Sequence, residues 1–113
     1  MNPATIDKVF AYVQERCLWQ FFSRAWDRTE VIDGVLGKTA QLLTGEPVKV
    51  ESPTEKAHYA DARLLAEGIR ARFSDISALP AEDVKALIEG VRGRVTELAI
   101  TQSRNRELHQ KLY

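Results

Sequence analysis

Residues 17–28 read Cys-Leu-Trp-Gln-Phe-Phe-Ser-Arg-Ala-Trp-Asp-Arg, and this run carries more information than any other part of the chain. Six of the nine aromatic residues stand between Phe10 and Trp26, namely Phe10, Tyr12, Trp19, Phe21, Phe22 and Trp26. In a helix each residue turns by about 100°. Measured from Trp19, the residues Ile6, Val9, Phe10, Val13, Cys17 and Phe21 fall at roughly 80° to 200°, whereas Leu18, Phe22, Trp26, Trp19 and Tyr12 fall at roughly 260° through 0° to 20°. The pattern therefore predicts two apolar stripes on one helix. A small domain closes its core with one. The second stripe is mostly aromatic, and Tyr12, Trp19, Phe22 and Trp26 each have on the order of 150–250 Å² to bury.

Two readings follow. Either the helix is central and packed on both sides, or the aromatic stripe is a contact surface, since contiguous apolar patches of that size mark protein interfaces. Glu15 falls within the second stripe and requires water or a partner, which favours exposure. Trp19, Phe22 and Trp26, with Arg24, Asp27 and Arg28 alongside, are the candidate partner-binding residues, because aromatics and arginine dominate interface hot spots. On a continuous helix Arg24 and Arg28 point away from the aromatics, at roughly 140° and 180°. That geometry expects the helix to end before Trp26, with an arginine pairing to Asp27 or to a partner carboxylate.

Working outward, the pattern is helical throughout and predicts an all-α class, a small bundle of four main helices with a short C-terminal tail. Thr5 is placed to cap a first helix reaching to about Trp26. Thr29 is placed to cap a second, with Val31, Ile32, Val35, Leu36, Thr39, Leu42 and Leu43 on one face and Gly45 as its left-handed stop. Residues 46–51 form a linker. Ser52-Pro53-Thr54-Glu55 is a capping box with proline at the first helical position. The third helix is expected to bury Ala57, Ala60, Leu64, Leu65, Ile69 and Phe73, followed by a loop from Ser74 to Leu79. Pro80-Ala81-Glu82-Asp83 opens a fourth helix whose stripe is Val84, Leu87, Ile88, Val91, Val95 and Leu98. Thr101 to Tyr113 is a polar tail with the makings of a short helix.

Composition narrows the function. At 113 residues the chain is one domain, residues 1–113. Sixteen basic and sixteen acidic residues cancel, so no global field favours nucleic acid or an anionic membrane. A single cysteine, Cys17, fits a reducing cytoplasm. Neither a signal peptide nor a membrane span is expected.

No motif assembles an active site. Gly34-Val35-Leu36-Gly37-Lys38-Thr39 ends like a phosphate loop, but only two residues separate its glycines and the surrounding pattern is helical. Gly90 and Gly93 share that spacing on the fourth helix, where close helix approach offsets the roughly 1 kcal/mol that each glycine costs against alanine. Glu55-x-x-His58 is half of a carboxylate-bridged di-iron pattern, yet His109 has Arg106 three residues before it instead of a Glu. One Cys and two His cannot supply a four-ligand zinc or iron–sulfur site unaided. Cys17 lies beside Val13 and Phe21, where an inert buried thiol is the common outcome. No catalytic, cofactor-binding or metal residue is assigned.

The run from Cys17 to Arg28 closely resembles the small delta subunit of the alternative nitrogenases. The similarity extends over nearly the whole chain, through Leu42-Leu43-Thr44-Gly45, Tyr59-Ala60-Asp61-Ala62 and Ile100-Thr101 to Ser103, Asn105, Glu107, Leu108 and Tyr113. Phe22, the Tyr-Ala-Asp-Ala segment and the length without an N-terminal extension are more similar to the vanadium enzyme's delta chain than to the iron-only one. One departure is Phe73-Ser74-Asp75, where the family usually has Phe-Pro-Trp. The resemblance implies an accessory subunit of vanadium-dependent nitrogenase, an oxidoreductase reducing dinitrogen to ammonia. It implies docking on the alpha chain within a hexamer of two alpha, two beta and two delta chains, and a role in cofactor acceptance or electron delivery. The iron–vanadium cofactor and the iron–sulfur cluster are implied for the other subunits and none for this chain. The iron-only delta chain is the neighbouring alternative. From other classes come a stand-alone helical adaptor or regulator and, with least support, an independent hydrolase or thiol enzyme.

The purified chain is accordingly expected to hold no iron, vanadium or zinc stoichiometrically. Elemental analysis finding close to one firmly held metal per chain would contradict this.

Overall fold

The computed structural model describes the backbone of residues 3–20 and 29–112, and the side chains of residues 3–16 and 30–101. Among the described residues the fold comprises four helices, α1 (Pro3–Gln20), α2 (Thr29–Thr44), α3 (Pro53–Arg72) and α4 (Ala81–Leu112), with a 3₁₀ turn (Ser74–Ala78) before the last. No strand occurs among the described residues. The all-α bundle expected from the hydrophobic pattern is what forms.

Local chemistry sets the boundaries. Gly45 has φ of 77°. It ends α2 in a Schellman turn, with Glu46 N–H donating to the Gln41 carbonyl and Gly45 N–H to that of Leu42. Ser52 caps α3: its hydroxyl oxygen accepts the Glu55 N–H at 3.1 Å, and Pro53 occupies the first turn. The Ser52 hydroxyl then donates to the Glu55 carboxylate at 3.4 Å, in place of the reciprocal bond of a full capping box. Thr39, buried on the apolar face of α2, spends its hydroxyl on the Val35 carbonyl at 2.8 Å.

Contacts between helices fix their directions. Tyr12 lies on Gly68 while Thr5 and Lys8 share a cleft with Ser74, Asp75 and Ile76, so α1 opposes α3. Ile6 meets Gly90 and Asp7 pairs with Arg94, which packs α1 on α4 as well. Asp33 pairs with Arg92 and Glu46 with Lys85, so α2 opposes α4. Gly34 lies under His58 while Arg70 donates to the Leu42 carbonyl, so α2 and α3 run in the same sense. The topology is up, down, down, up. Residues 45–52 are the long crossover, and eight extended residues reach about 26 Å, enough to return along the roughly 24 Å of α2.

The core draws on all four helices. Val9, Val13, Ile32, Val35, Leu36, Leu65, Ile69, Leu87, Ile88, Val91 and Val95 are buried, with Ile76 of the 3₁₀ turn beneath them. Four expectations are corrected here. Ala57, Ala60 and Leu64 are exposed, Leu64 at 68%. The buried stripe of α3 is Ala62, Leu65, Ala66 and Ile69 instead. Both sets satisfy a helical repeat, but Leu64 lies between Arg63 and Glu67, whose ion pair belongs to a solvated face. Residues 74–78 form a 3₁₀ turn rather than an open loop, because Ile76 has a place in the core. The tail is no separate element, since α4 continues to Leu112 with no proline to stop it. Its 32 residues span about 48 Å, close to the 51 Å long dimension of the molecule. The last correction concerns glycine: Gly90 does sit against Ile6, but Gly93 has no neighbour within 4 Å.

Glycine substitutions separate close approach from propensity. At Gly68 an added Cβ would collide with the Tyr12 phenol, whose Cζ lies 2.9 Å away. Gly93→Ala should raise stability by up to about 1 kcal/mol, whereas Gly68→Ala should lower it despite the same gain in helix propensity. Leu87→Ala, at a fully buried position, should cost about 2–5 kcal/mol. Denaturant titration checks all three, and equal responses of the two glycine variants would contradict the packing described.

Candidate partner surface

On α1 the stripe of Ile6, Val9, Phe10 and Val13 faces the core as the periodicity requires, with Val9 and Val13 fully buried. Glu15 and Arg16 are exposed. Tyr12 corrects the two-stripe reading, because only 7% of it is exposed. Its ring is covered by the bare α3 backbone at Gly68 and meets the Phe73 ring edge-on at 5.9 Å and 84°. At this position the aromatic stripe is core, because a second helix closes on it.

The remaining site residues are placed only in part. The backbone of Trp19 belongs to the last turn of α1, and its side chain lies outside the described residues, as does that of Cys17. Phe22, Arg24, Trp26, Asp27 and Arg28 lie outside the described residues entirely, as does any early end of the helix, and Thr29 is described only in its backbone. The end of α1 and the start of α2 lie toward the end of the bundle to which α4 runs.

Around Tyr12 the structure adds what sequence reasoning missed. The Arg16 guanidinium lies 6.0 Å from the ring centroid and that of Arg72 lies 5.7 Å from it, so one buried ring organises two cations. Lys8, Tyr12 and Arg16 show the i, i+4, i+8 spacing of one helix face, which is visible in the sequence. The arrival of Arg72 is tertiary and is not. Where α1 and α3 meet the start of α4, a cleft of about 460 Å³ opens, lined by the charged Lys8, Arg72, Asp75 and Asp83 and by the apolar Phe73, Ile76 and Leu79.

The motifs weighed for chemistry are absorbed by the fold. Gly34 to Thr39 is helical within α2, so its amides are committed to helix hydrogen bonds, and Lys38 pairs with Glu55 at 3.9 Å. Glu55 is occupied by the cap and by Lys38, while the His58 imidazole packs on Gly34. Among the described residues no three His, Cys, Asp or Glu side chains come together in a metal-binding group. Electrostatics elsewhere are those of a surface: Arg92, bonded to Glu89 and Asp33, holds the Glu89 carboxyl below its ordinary range and is itself held protonated. No helix among the described residues is long and apolar enough to cross a membrane.

Sequence comparisons agree with a chain whose purpose lies in association. The family described as vanadium/alternative nitrogenase delta subunit matches residues 3–113. The chain is 40% identical over 108 residues to the nitrogenase iron-iron protein delta chain of Rhodospirillum rubrum, covering 96% of this chain and 93% of that one. It is 35% identical over 108 residues to the protein of the same name from Azomonas macrocytogenes, covering 96% of each. With that of Clostridium pasteurianum it shares 34% identity over 112 residues, covering 99% of this chain and 97% of that one.

Tyr12→Ala separates core from partner surface. Truncating a buried aromatic costs about 3–5 kcal/mol, so the purified chain should be destabilised by that order before any partner is added. Unchanged stability in denaturant would return Tyr12 to the partner stripe.

Proposed function

The chain belongs to the delta-subunit family of the vanadium and alternative nitrogenases, and on that premise we propose that it is an accessory, non-catalytic subunit of such an enzyme. A nitrogenase delta chain associates with other nitrogenase subunits. The proposal is that this one docks on the large alpha chain, in an assembly of two alpha, two beta and two delta chains in the cytoplasm. There it supports cofactor acceptance or electron delivery, while the metal clusters reside in the other subunits. The observation that carries this reading is the match to the delta-subunit family over residues 3–113. A stand-alone adaptor has no such support.

The metal is the finer part of the proposal. The vanadium reading is supported by Phe22 and by Tyr59-Ala60-Asp61-Ala62, as the resemblance described above. The iron-only reading is supported by the relatives, which are named iron-iron protein delta chains. Purifying the native complex through this chain and assaying its metals decides between them. Vanadium accompanying iron in the complex is the expected result. Iron without vanadium would establish the alternative, and a chain that purifies without large subunits would remove the subunit reading altogether.

The aromatic run is the proposed anchor. Trp19 stands in the last turn of α1, and Phe22, Trp26, Arg24, Asp27 and Arg28 follow it in the sequence before α2. Loss of one central tryptophan weakens an interface by about 2 kcal/mol, roughly thirtyfold in Kd. Trp19→Ala should do this while preserving the helical circular dichroism signal. Unfolding of the variant would make Trp19 a core residue, and unchanged affinity would exclude it from the interface.

A further inference from the structure

Arg92 is paired to Glu89 and Asp33, Arg94 to Asp7, Lys85 to Glu46, and Arg63 to Glu67. Among the described residues Lys8, Arg16 and Arg72 have no carboxylate partner, although they gather along one seam. Among the described residues Lys49, Lys56 and Arg70 also lack a carboxylate partner, but it is at the seam between α1 and α3 that such cations gather on one aromatic ring. Arg16 and Arg72 both lie against the ring of Tyr12, which the core holds still. Part of the entropy that a flexible guanidinium loses on binding is therefore already lost. Beside them lies an apolar cleft floor of Phe73, Ile76 and Leu79.

We infer that this seam is a docking surface for an acidic segment of another nitrogenase subunit, one that places an apolar side chain in the cleft and a carboxylate on the guanidinium side. The inference rests on the subunit reading above. Charge complementarity selects the occupant. A guanidinium recognises a carboxylate through parallel N–H donors, and two beside one ring give that recognition a direction. Asp75 and Asp83, which also line the cleft, repel an anion near them, so the incoming carboxylate is directed to the guanidinium groups gathered on the Tyr12 ring. The same two acids oppose a multiply charged phosphate filling the cleft. The chain's equal numbers of acidic and basic residues supply no wider field to draw a polyanion.

Association kinetics test this, using full-length chain added to a nitrogenase complex prepared without its delta chain. The double variant Arg16→Glu, Arg72→Glu is compared with Lys56→Glu, which reverses an exposed charge at the far end of α3. The double variant should associate about tenfold or more slowly at low salt, with the gap closing as ionic strength rises. Lys56→Glu should remain near the wild-type rate. Thermal melts monitor folding, and if the double reversal fails to fold, Arg16→Gln with Arg72→Gln should show the same trend at reduced size. A double variant indistinguishable from Lys56→Glu in rate and salt slope overturns the inference and leaves the subunit reading intact. If inorganic phosphate at constant ionic strength slows the wild type to the variant's rate, the seam is a phosphate site and the inference also falls. Failure of the unaltered chain to associate overturns both.

Discussion

Tyr12 can be buried only because α3 presents bare backbone at Gly68, and much of the bundle follows from that constraint. A side chain at position 68 would hold α1 away from α3, opening the core over Val9, Val13 and Ile69. The same device recurs where His58 covers Gly34 between α3 and α2, and where Ile6 covers Gly90 between α1 and α4. Each of these glycines sits within a helix, where it costs up to about 1 kcal/mol relative to alanine. What it returns is a closer approach of two helices, with the dispersion contacts and dry apolar area that come with it. A domain of 113 residues has little core to spare, so these three crossings bear heavily on its stability.

The up, down, down, up course of the chain has a functional consequence. With α1 and α4 running one way and α2 and α3 the other, the end of α1 and the start of α2 lie toward the end of the bundle to which α4 runs. At the opposite end, the starts of α1 and α4 meet the end of α3 around the mixed-charge cleft. Helices that satisfy one another internally leave their specificity to these ends and to the seam between α1 and α3. That is an arrangement suited to being held by a larger partner.

Much of this was legible in the residues. The stops and starts at Gly45, Ser52 and Pro80 read correctly because capping chemistry is local. The stripes of α2 and α4 read correctly, apart from Leu98, whose expected place in the core is taken by Ala99, because each has a single dense apolar face. α3 misled because Ala57, Ala60 and Leu64 repeat as well as Ala62, Leu65, Ala66 and Ile69 do. Only the neighbouring helices decide which set is covered. Tyr12 misled for the same reason: its angular position on α1 is outside the aliphatic stripe, but a second helix closes there. α4 continues through the polar residues beyond Thr101 because no breaker interrupts them, which the polarity of that stretch does not reveal. In the candidate site, the α1 half of the cation cluster was visible at Lys8, Tyr12 and Arg16, whereas Arg72 comes from a distant part of the sequence.

The claim that unites these features is that the chain is held by its partner through the end of α1 and the α1–α3 seam, with α2 and α4 closing the far side through their own ion pairs. Hydrogen–deuterium exchange of the chain, free and within the purified nitrogenase complex, tests it most directly. Amides of α1 from Tyr12 onward, residues 21–28 and the last turns of α3 should gain protection in the complex, while exchange along the Asp33–Arg92 edge of α2 and α4 should be little altered. Protection concentrated on that edge, with α1 unchanged, would contradict the account.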